Sequence, residues 1–217
     1  MPQLFSPFAD TIARTILVAI VVVPFVLVGI GYWLSASEYE TDRSLTLDQP
    51  VPFSHQHHVG GLGLDCRYCH TGVENSPVAG IPPTHTCMTC HSQLYTQTAM
   101  LAPVRESLAD NEPIHWNKVN KLPDYVYFDH SIHIAKGVGC STCHGDVATM
   151  PLMRQTVPLT MGWCLECHRD PEPNLRPATN VFDPDWQPPT DQAERGIILA
   201  HQNIDNAHLT DCSVCHR

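Results

Sequence analysis

Every cysteine in this chain is committed to one pattern. The ten cysteines fall into five pairs, Cys66/Cys69, Cys87/Cys90, Cys140/Cys143, Cys164/Cys167 and Cys212/Cys215, with two residues inside each pair. A histidine follows each pair directly: His70, His91, His144, His168 and His216. A disulfide framework gives no reason for that histidine. A zinc ribbon uses CxxC pairs two at a time, so five pairs leave one unmatched. A thioredoxin-like dithiol occurs once, inside a βαβ pattern that this sequence lacks. Cys-x-x-Cys-His is instead the attachment signature of c-type haem. On a helical turn, positions i, i+3 and i+4 share one face. Both thiols can then bond the porphyrin edge while the imidazole reaches the iron from one side. The five motifs predict five covalently attached haem c groups, with the ten cysteines as thioether anchors and the five histidines as proximal iron ligands.

The motifs are also written twice over. Half one runs Phe53, His55, His58, Cys66, Cys87, and half two runs Phe128, His130, His133, Cys140, Cys164. Each half is therefore a two-haem unit, 53–91 and 128–168, with the fifth site in 169–217 as an appendix. A low-spin electron-transfer haem needs two axial ligands, and each motif supplies one. A spacing of three on a helical turn points His55 and His58, or His130 and His133, to one side, within reach of two neighbouring haems. These four are the expected distal ligands, which leaves one iron without a partner. Met150, Met153 and Met161 crowd the segment between the last two motifs of the repeat. Thioether ligation raises a haem's potential, and Met150 is the expected ligand, because Met161 would have to curl past Cys164. His57, His85, His115, His201 and His208 read as propionate partners or surface residues.

Toward the N-terminus, Thr15 to Leu34 is a run of twenty residues without a charge, enough to cross a bilayer core. The expected layout is a short cytoplasmic N-terminus (1–14), a retained transmembrane anchor (15–35), a polar tether (36–52) and a haem domain (53–217). Covalent haem attachment is completed outside the cytoplasm, which puts that domain on the periplasmic side of a bacterial inner membrane. With 19 prolines, the haem domain is expected to be mostly irregular, with short helices wrapped around porphyrins. One longer helix is expected near 93–110, from Leu94, Leu101, Val104 and Leu108. The net charge of −10 argues against nucleic acid and suits a basic partner such as a lysine-rich soluble cytochrome.

Two resemblances sharpen this reading. The FxHxxH phrases ahead of CxxCH resemble small multihaem cytochromes of the c3 and c7 type. That resemblance implies that the first histidine serves the haem that follows it, so His55 serves the Cys66 site and His130 the Cys140 site. The second histidine serves another haem. Along the whole chain, GLDCRYCHTGVENSP, PPTHTCMTCH, LPDYVYFDHSIH, CSTCHG, PLTMGWCLECHR and TDCSVCHR closely resemble the pentahaem cytochrome c subunit of bacterial alternative complex III, a quinol:electron-acceptor oxidoreductase. This implies an electron-transfer subunit, not catalytic alone, that works with three partners. They are an integral membrane quinol-binding subunit, an iron–sulfur subunit related to molybdopterin enzymes and a monohaem cytochrome c. Asn120 departs from that pattern, which has histidine there. The rival readings are a membrane-anchored multihaem quinol dehydrogenase and a multihaem reductase with its own catalytic haem. A reductase needs one iron with an open position, whereas all five anchors here end in histidine.

Overall fold

A computed structural model of the chain describes residue 6 and residues 8–216. The chain divides into two units, 1–42 and 43–217. The first carries one long helix, α1 (Ala9–Ser35). It starts six residues before the expected span, because Ala9–Arg14 continues the same helical ladder and Arg14 pairs with Asp10 at 3.0 Å one turn earlier. The rest of the expected N-terminal segment, residues 1–5 and 7, lies outside the described residues. With a mean hydropathy of 2.6, α1 is long and apolar enough to cross a membrane. Pro24 sits inside it. A short helix, α2 (Glu38–Thr41), closes the unit.

The expected tether needs correction. From Arg43 onward the chain belongs to the second unit. Thr46 bridges Arg154, the Gln49 side chain donates to the Asn117 carbonyl at 2.8 Å, and Val51 is buried. Short polar segments fold back in this way when backbone groups elsewhere accept their hydrogen bonds.

The second unit contains no strand among its described residues, only isolated bridges. Its helices are short: α3 (Cys66–Cys69), α4 (Thr84–His91), α5 (Ala102–Asp110), α6 (His130–Ala135), α7 (Cys140–His144), α8 (Met161–Arg169), α9 (Gln192–Asn203) and α10 (Cys212–Cys215). A π-helical segment, Gln56–Gly61, follows His55. The expected 93–110 helix is shorter than its periodicity implied. Tyr95 takes a left-handed conformation (φ 55°) that interrupts it, and the α-helix begins only at Ala102. Pro103 lies in its first turn, where the missing N–H costs nothing. Among the described residues few apolar side chains are buried by protein alone: Val51, Val73, Val104, Met150, Leu175, Val181 and Ala200. That is too few for a conventional core in a unit of this size.

Candidate haem-iron sites

The duplication is written into the helices that carry the motifs. The first cysteine of each half opens a short helix, α3 or α7. The second site of each half sits on a longer helix, α4 or α8, that begins three residues before its first cysteine. Local capping explains the starts. The Asp65 side chain accepts from Arg67 N at 2.8 Å, and Thr160 Oγ1 accepts from Trp163 N at 3.4 Å. Arg67 also pairs with Asp65 and lies over the Phe182 ring at 4.5 Å. Each motif ends up presenting two thiols and an imidazole from one turn. No disulfide joins any of the ten cysteines.

The paired histidines are set by their phenylalanine. Phe53 stacks on His58 at 4.4 Å between ring centres and meets His55 edge-on at 4.9 Å. Phe128 repeats this with His133 at 4.4 Å and His130 at 4.8 Å. The second histidine of each pair is tied back one turn: His58 Nδ1 to the Ser54 carbonyl at 2.8 Å, and His133 Nδ1 to the Asp129 carbonyl at 2.7 Å. Asp129 caps α6 by accepting from Ser131 N and Ile132 N. The halves also reach across to each other. His130 Nδ1 donates to the Pro77 carbonyl at 2.8 Å, and Gln56 N donates to the Met150 carbonyl at 2.9 Å.

The geometry then answers which proximal histidine each distal one faces. The rings of His58 and His91 lie 6.2 Å apart, those of His130 and His144 6.4 Å, and those of His133 and His168 6.1 Å. A metal–imidazole bond of about 2 Å, plus roughly 1.1 Å to the ring centre on each side, puts two rings that share one iron about 6 Å apart. The separations fit that arrangement. His55 lies close enough to His70 for their charges to interact. So the first histidine faces the motif just downstream and the second faces the other motif of its own half, a target that spacing alone left open.

The ring nitrogens are prepared for this role. A metal-bound histidine commonly donates its other N–H to a carbonyl or carboxylate, which fixes the tautomer. Besides the three Nδ1 contacts above, His70 Nδ1 faces the Gly80 carbonyl at 2.6 Å and His91 Nδ1 the Leu94 carbonyl at 3.2 Å. His168 Nδ1 faces the Leu209 carbonyl at 2.8 Å, and His216 Nδ1 the Tyr125 carbonyl at 3.1 Å. Burial, then neighbouring His70, holds the His55 imidazole down to about 4, and burial, then His130, does the same for His144. Burial likewise lowers His133. These shifts favour the neutral imidazole, the form that can bind a metal.

The thiols show how the sites follow one another in space. The Cys66 and Cys140 thiols are neighbours, and each shifts the other, Cys66 down to about 7 and Cys140 up. Burial raises Cys69, with Cys87 adding to it; burial pushes Cys143 up to about 12, with Cys167 and Cys164 adding to it. Burial raises Cys164, with Cys215 next. The motif order in space is thus Cys87/Cys90, Cys66/Cys69, Cys140/Cys143, Cys164/Cys167, Cys212/Cys215. The fifth motif is stitched to the second half, with Tyr127 N donating to the Cys215 carbonyl at 2.8 Å.

The ten expected anchor cysteines differ in exposure. Cys90 and Cys212 are exposed, whereas the other eight are half-buried. The reason is their place at the two ends of the succession. In each end motif one cysteine, Cys87 or Cys215, turns toward the neighbouring motif, and its mate is left on the outside. Cys90 Sγ accepts from Thr89 Oγ1 at 3.9 Å. Among the described residues no three His, Cys, Asp or Glu side chains converge as they would around a protein-bound metal ion.

The other sequence candidates are placed as follows. Met150 is buried (1 % exposed) beside the His55–His58 segment, and Met161, on α8 one turn ahead of Cys164, is 64 % exposed. His85 and His115 line a cavity of about 620 Å³ with Trp116. His208 pairs with Asp211 at 3.0 Å on the surface. Two polar groups lie at the third site, Asn120 beside His144 and Arg176 beside Cys140. Sequence reasoning noted Asn120 only as a departure from the family pattern and missed Arg176, which no motif marks.

Comparison with known proteins agrees with this geometry. Residues 126–217 match the family described as cytochrome c7 and related cytochrome c. Over 112 residues the chain is 33 % identical to the multiheme cytochrome c subunit of menaquinone reductase from Nitratidesulfovibrio vulgaris, an alignment covering 46 % of this chain and 53 % of that protein. The chain thus spans about half the length of the curated relative it matches. Over residues 126–217 the chain is thus similar to the c7-like multihaem cytochromes c, and its short helices and irregular connections, preceded by one apolar helix, accord with that class.

Proposed function

We propose that the chain is the pentahaem electron-transfer subunit of a membrane quinol:electron-acceptor oxidoreductase of the alternative complex III type. Covalently held haem supplies one-electron redox chemistry. The chain's own residues do the rest. Ten cysteines fix the edges, His55/His70, His58/His91, His130/His144 and His133/His168 clamp four irons, and His216 holds the fifth from one side. The observation that carries the reading is the continuous succession of neighbouring motif thiols from Cys87 to Cys215. It provides a path along which electrons can pass from one end motif to the other. One end takes electrons from a quinol-oxidising partner and the other passes them to a periplasmic cytochrome c or terminal oxidase.

The helix α1 serves as a retained anchor with the haem unit on the periplasmic side. It carries no ionisable side chain of the acid or basic kind between Thr15 and Leu34, so it offers a quinone no proton acceptor. Quinol oxidation, which releases two electrons and two protons, therefore belongs to an integral membrane partner. An iron–sulfur subunit related to molybdopterin enzymes and a monohaem cytochrome c complete the assembly.

We assign the second ligand of the fifth iron differently from the sequence expectation. Protein atoms enclose Met150 completely, which leaves its sulfur no open side, and it sits with the first-half histidines. Met161 is open and shares a helix face with Cys164, the thiol next to Cys215. Met161 is the better placed thioether.

A second reading keeps the relay and reverses the flow. The similarity to a subunit of a menaquinone reductase favours electrons running toward the quinone. Purified complex mixed with menaquinol or with reduced cytochrome c separates the two, since only one donor reduces the haems rapidly. The relay reading predicts that the isolated chain turns over neither quinol, nitrite nor hydroxylamine. Turnover by the isolated chain, or an EPR spectrum dominated by high-spin ferric iron, sinks it in favour of a catalytic haem.

A further inference from the structure

Nine histidines act as iron ligands under the proposed function, and the role assigned here to Asn120 rests on that ligand set. Seven of the nine turn Nδ1 toward a backbone carbonyl. His55 Nδ1 is buried with no acceptor. His144 alone faces a side chain: the Asn120 amide nitrogen lies 3.2 Å from its Nδ1, while Asn120 Oδ1 is buried with no hydrogen-bond partner. With Nε2 turned to an iron, Nδ1 of a neutral imidazole carries the proton. Two N–H groups would then oppose each other next to an unused buried oxygen. The two ends of the amide fill nearly the same volume. Turning it over sets Oδ1 against Nδ1–H and removes both faults at once, where an unmet buried acceptor otherwise costs about 1–3 kcal/mol.

We propose that Asn120 is the positioning residue of the third site: its side-chain carbonyl accepts the Nδ1 proton of His144 and sets that site's redox potential. The segment between the two halves thereby supplies from a side chain what the backbone supplies at seven other ligands. The ring of His144 is held within 2° of parallel to His130, against 65° for His58/His91 and 32° for His133/His168. Stronger acceptance at Nδ1 gives the ligand more imidazolate character and favours the ferric state. Removing the acceptor does the reverse.

Parallel axial rings split the two iron orbitals they overlap, and crossed rings leave them nearly equal. The third site should therefore give the resolved rhombic low-spin EPR signal in the wild-type holoprotein, and its amplitude can be followed during redox titration. Asn120→Asp should shift its ferric/ferrous equilibrium about tenfold toward ferric, and Asn120→Leu about tenfold toward ferrous, each tenfold being about 59 mV for one electron. Asn120→Ser, which keeps an oxygen acceptor in a smaller side chain, should stay near wild type. Opposite shifts confined to that signal support the proposal. No shift, shifts of one sign in both variants, or shifts spread over all signals overturn it. Absence of the rhombic signal from the wild-type protein instead overturns the pairing of His130 with His144 on which the proposal stands.

Discussion

Met150 separates packing from ligation in one residue. At 1 % exposed it is among the largest fully buried side chains among the described residues. Replacement by alanine leaves a cavity and is expected to cost about 2–5 kcal/mol. Leucine conserves the volume and is expected to cost less than about 1.5 kcal/mol. For a chain of this length each kcal/mol moves the melting temperature by about 2–4 °C, so alanine lowers it by about 4–20 °C and leucine by no more than about 6 °C. The assay is a thermal melt of the holoprotein followed by circular dichroism, paired with the near-infrared band that marks a thioether on ferric haem. The band should survive both substitutions and disappear in Met161→Leu. If Met150→Leu abolishes the band while the melting temperature hardly moves, Met150 is a ligand and the argument from its enclosure is wrong.

Other substitutions test the clamp and its frame. His133→Ala should convert the fourth site alone to a five-coordinate, high-spin iron that binds carbon monoxide; four low-spin sites should remain, and unchanged spectra would refute the His133/His168 pairing. Phe128→Ala removes the ring stacked on His133 and set edge-on to His130. A destabilisation of about 3–5 kcal/mol is expected, with low-spin signals broadened in the second half only; a full-width effect in both halves would contradict a local role. Gly137 has φ +89°, its carbonyl accepts from Arg176 N at 2.9 Å, and a Cβ there would meet the Arg176 carbonyl at 2.6 Å. Gly137→Ala should therefore cost about 1–3 kcal/mol in a denaturant titration.

How much could be read in advance depended on the range of the interactions. The motifs and the duplication are short-range patterns in the chain and were legible at once, whereas the separate roles of first and second histidines came from the resemblance to cytochromes of the c3 and c7 type. The choice of His91 for His58 and of His168 for His133 was not legible. It depends on where α4 and α8 come to rest, well downstream in the chain. The exposure of Cys90 and Cys212 was hidden for the same reason, since five identical motifs do not say which two stand at the ends. The fold of 43–52 against Asn117 and Arg154 was equally out of sight, because it is made by backbone and amide groups that any polar segment carries. The methionines show the limit of counting candidates. The sequence reading favoured Met150, and the proposal of Met161 rests instead on exposure, a property of the folded chain. Asn120 stood out in the sequence only as a departure from the family pattern, and its unpartnered oxygen beside His144 is what suggests a role for it.

The central claim is that five covalent haems hang on this one chain in a continuous relay, and intact mass under denaturing conditions tests its foundation most directly. The relay predicts a chain heavier than its amino-acid mass by five haems, with no cysteine open to alkylation, the exposed Cys90 and Cys212 included. A mass short of five haems, or any motif pair that alkylates in the purified holoprotein, breaks the relay at that site and contradicts it.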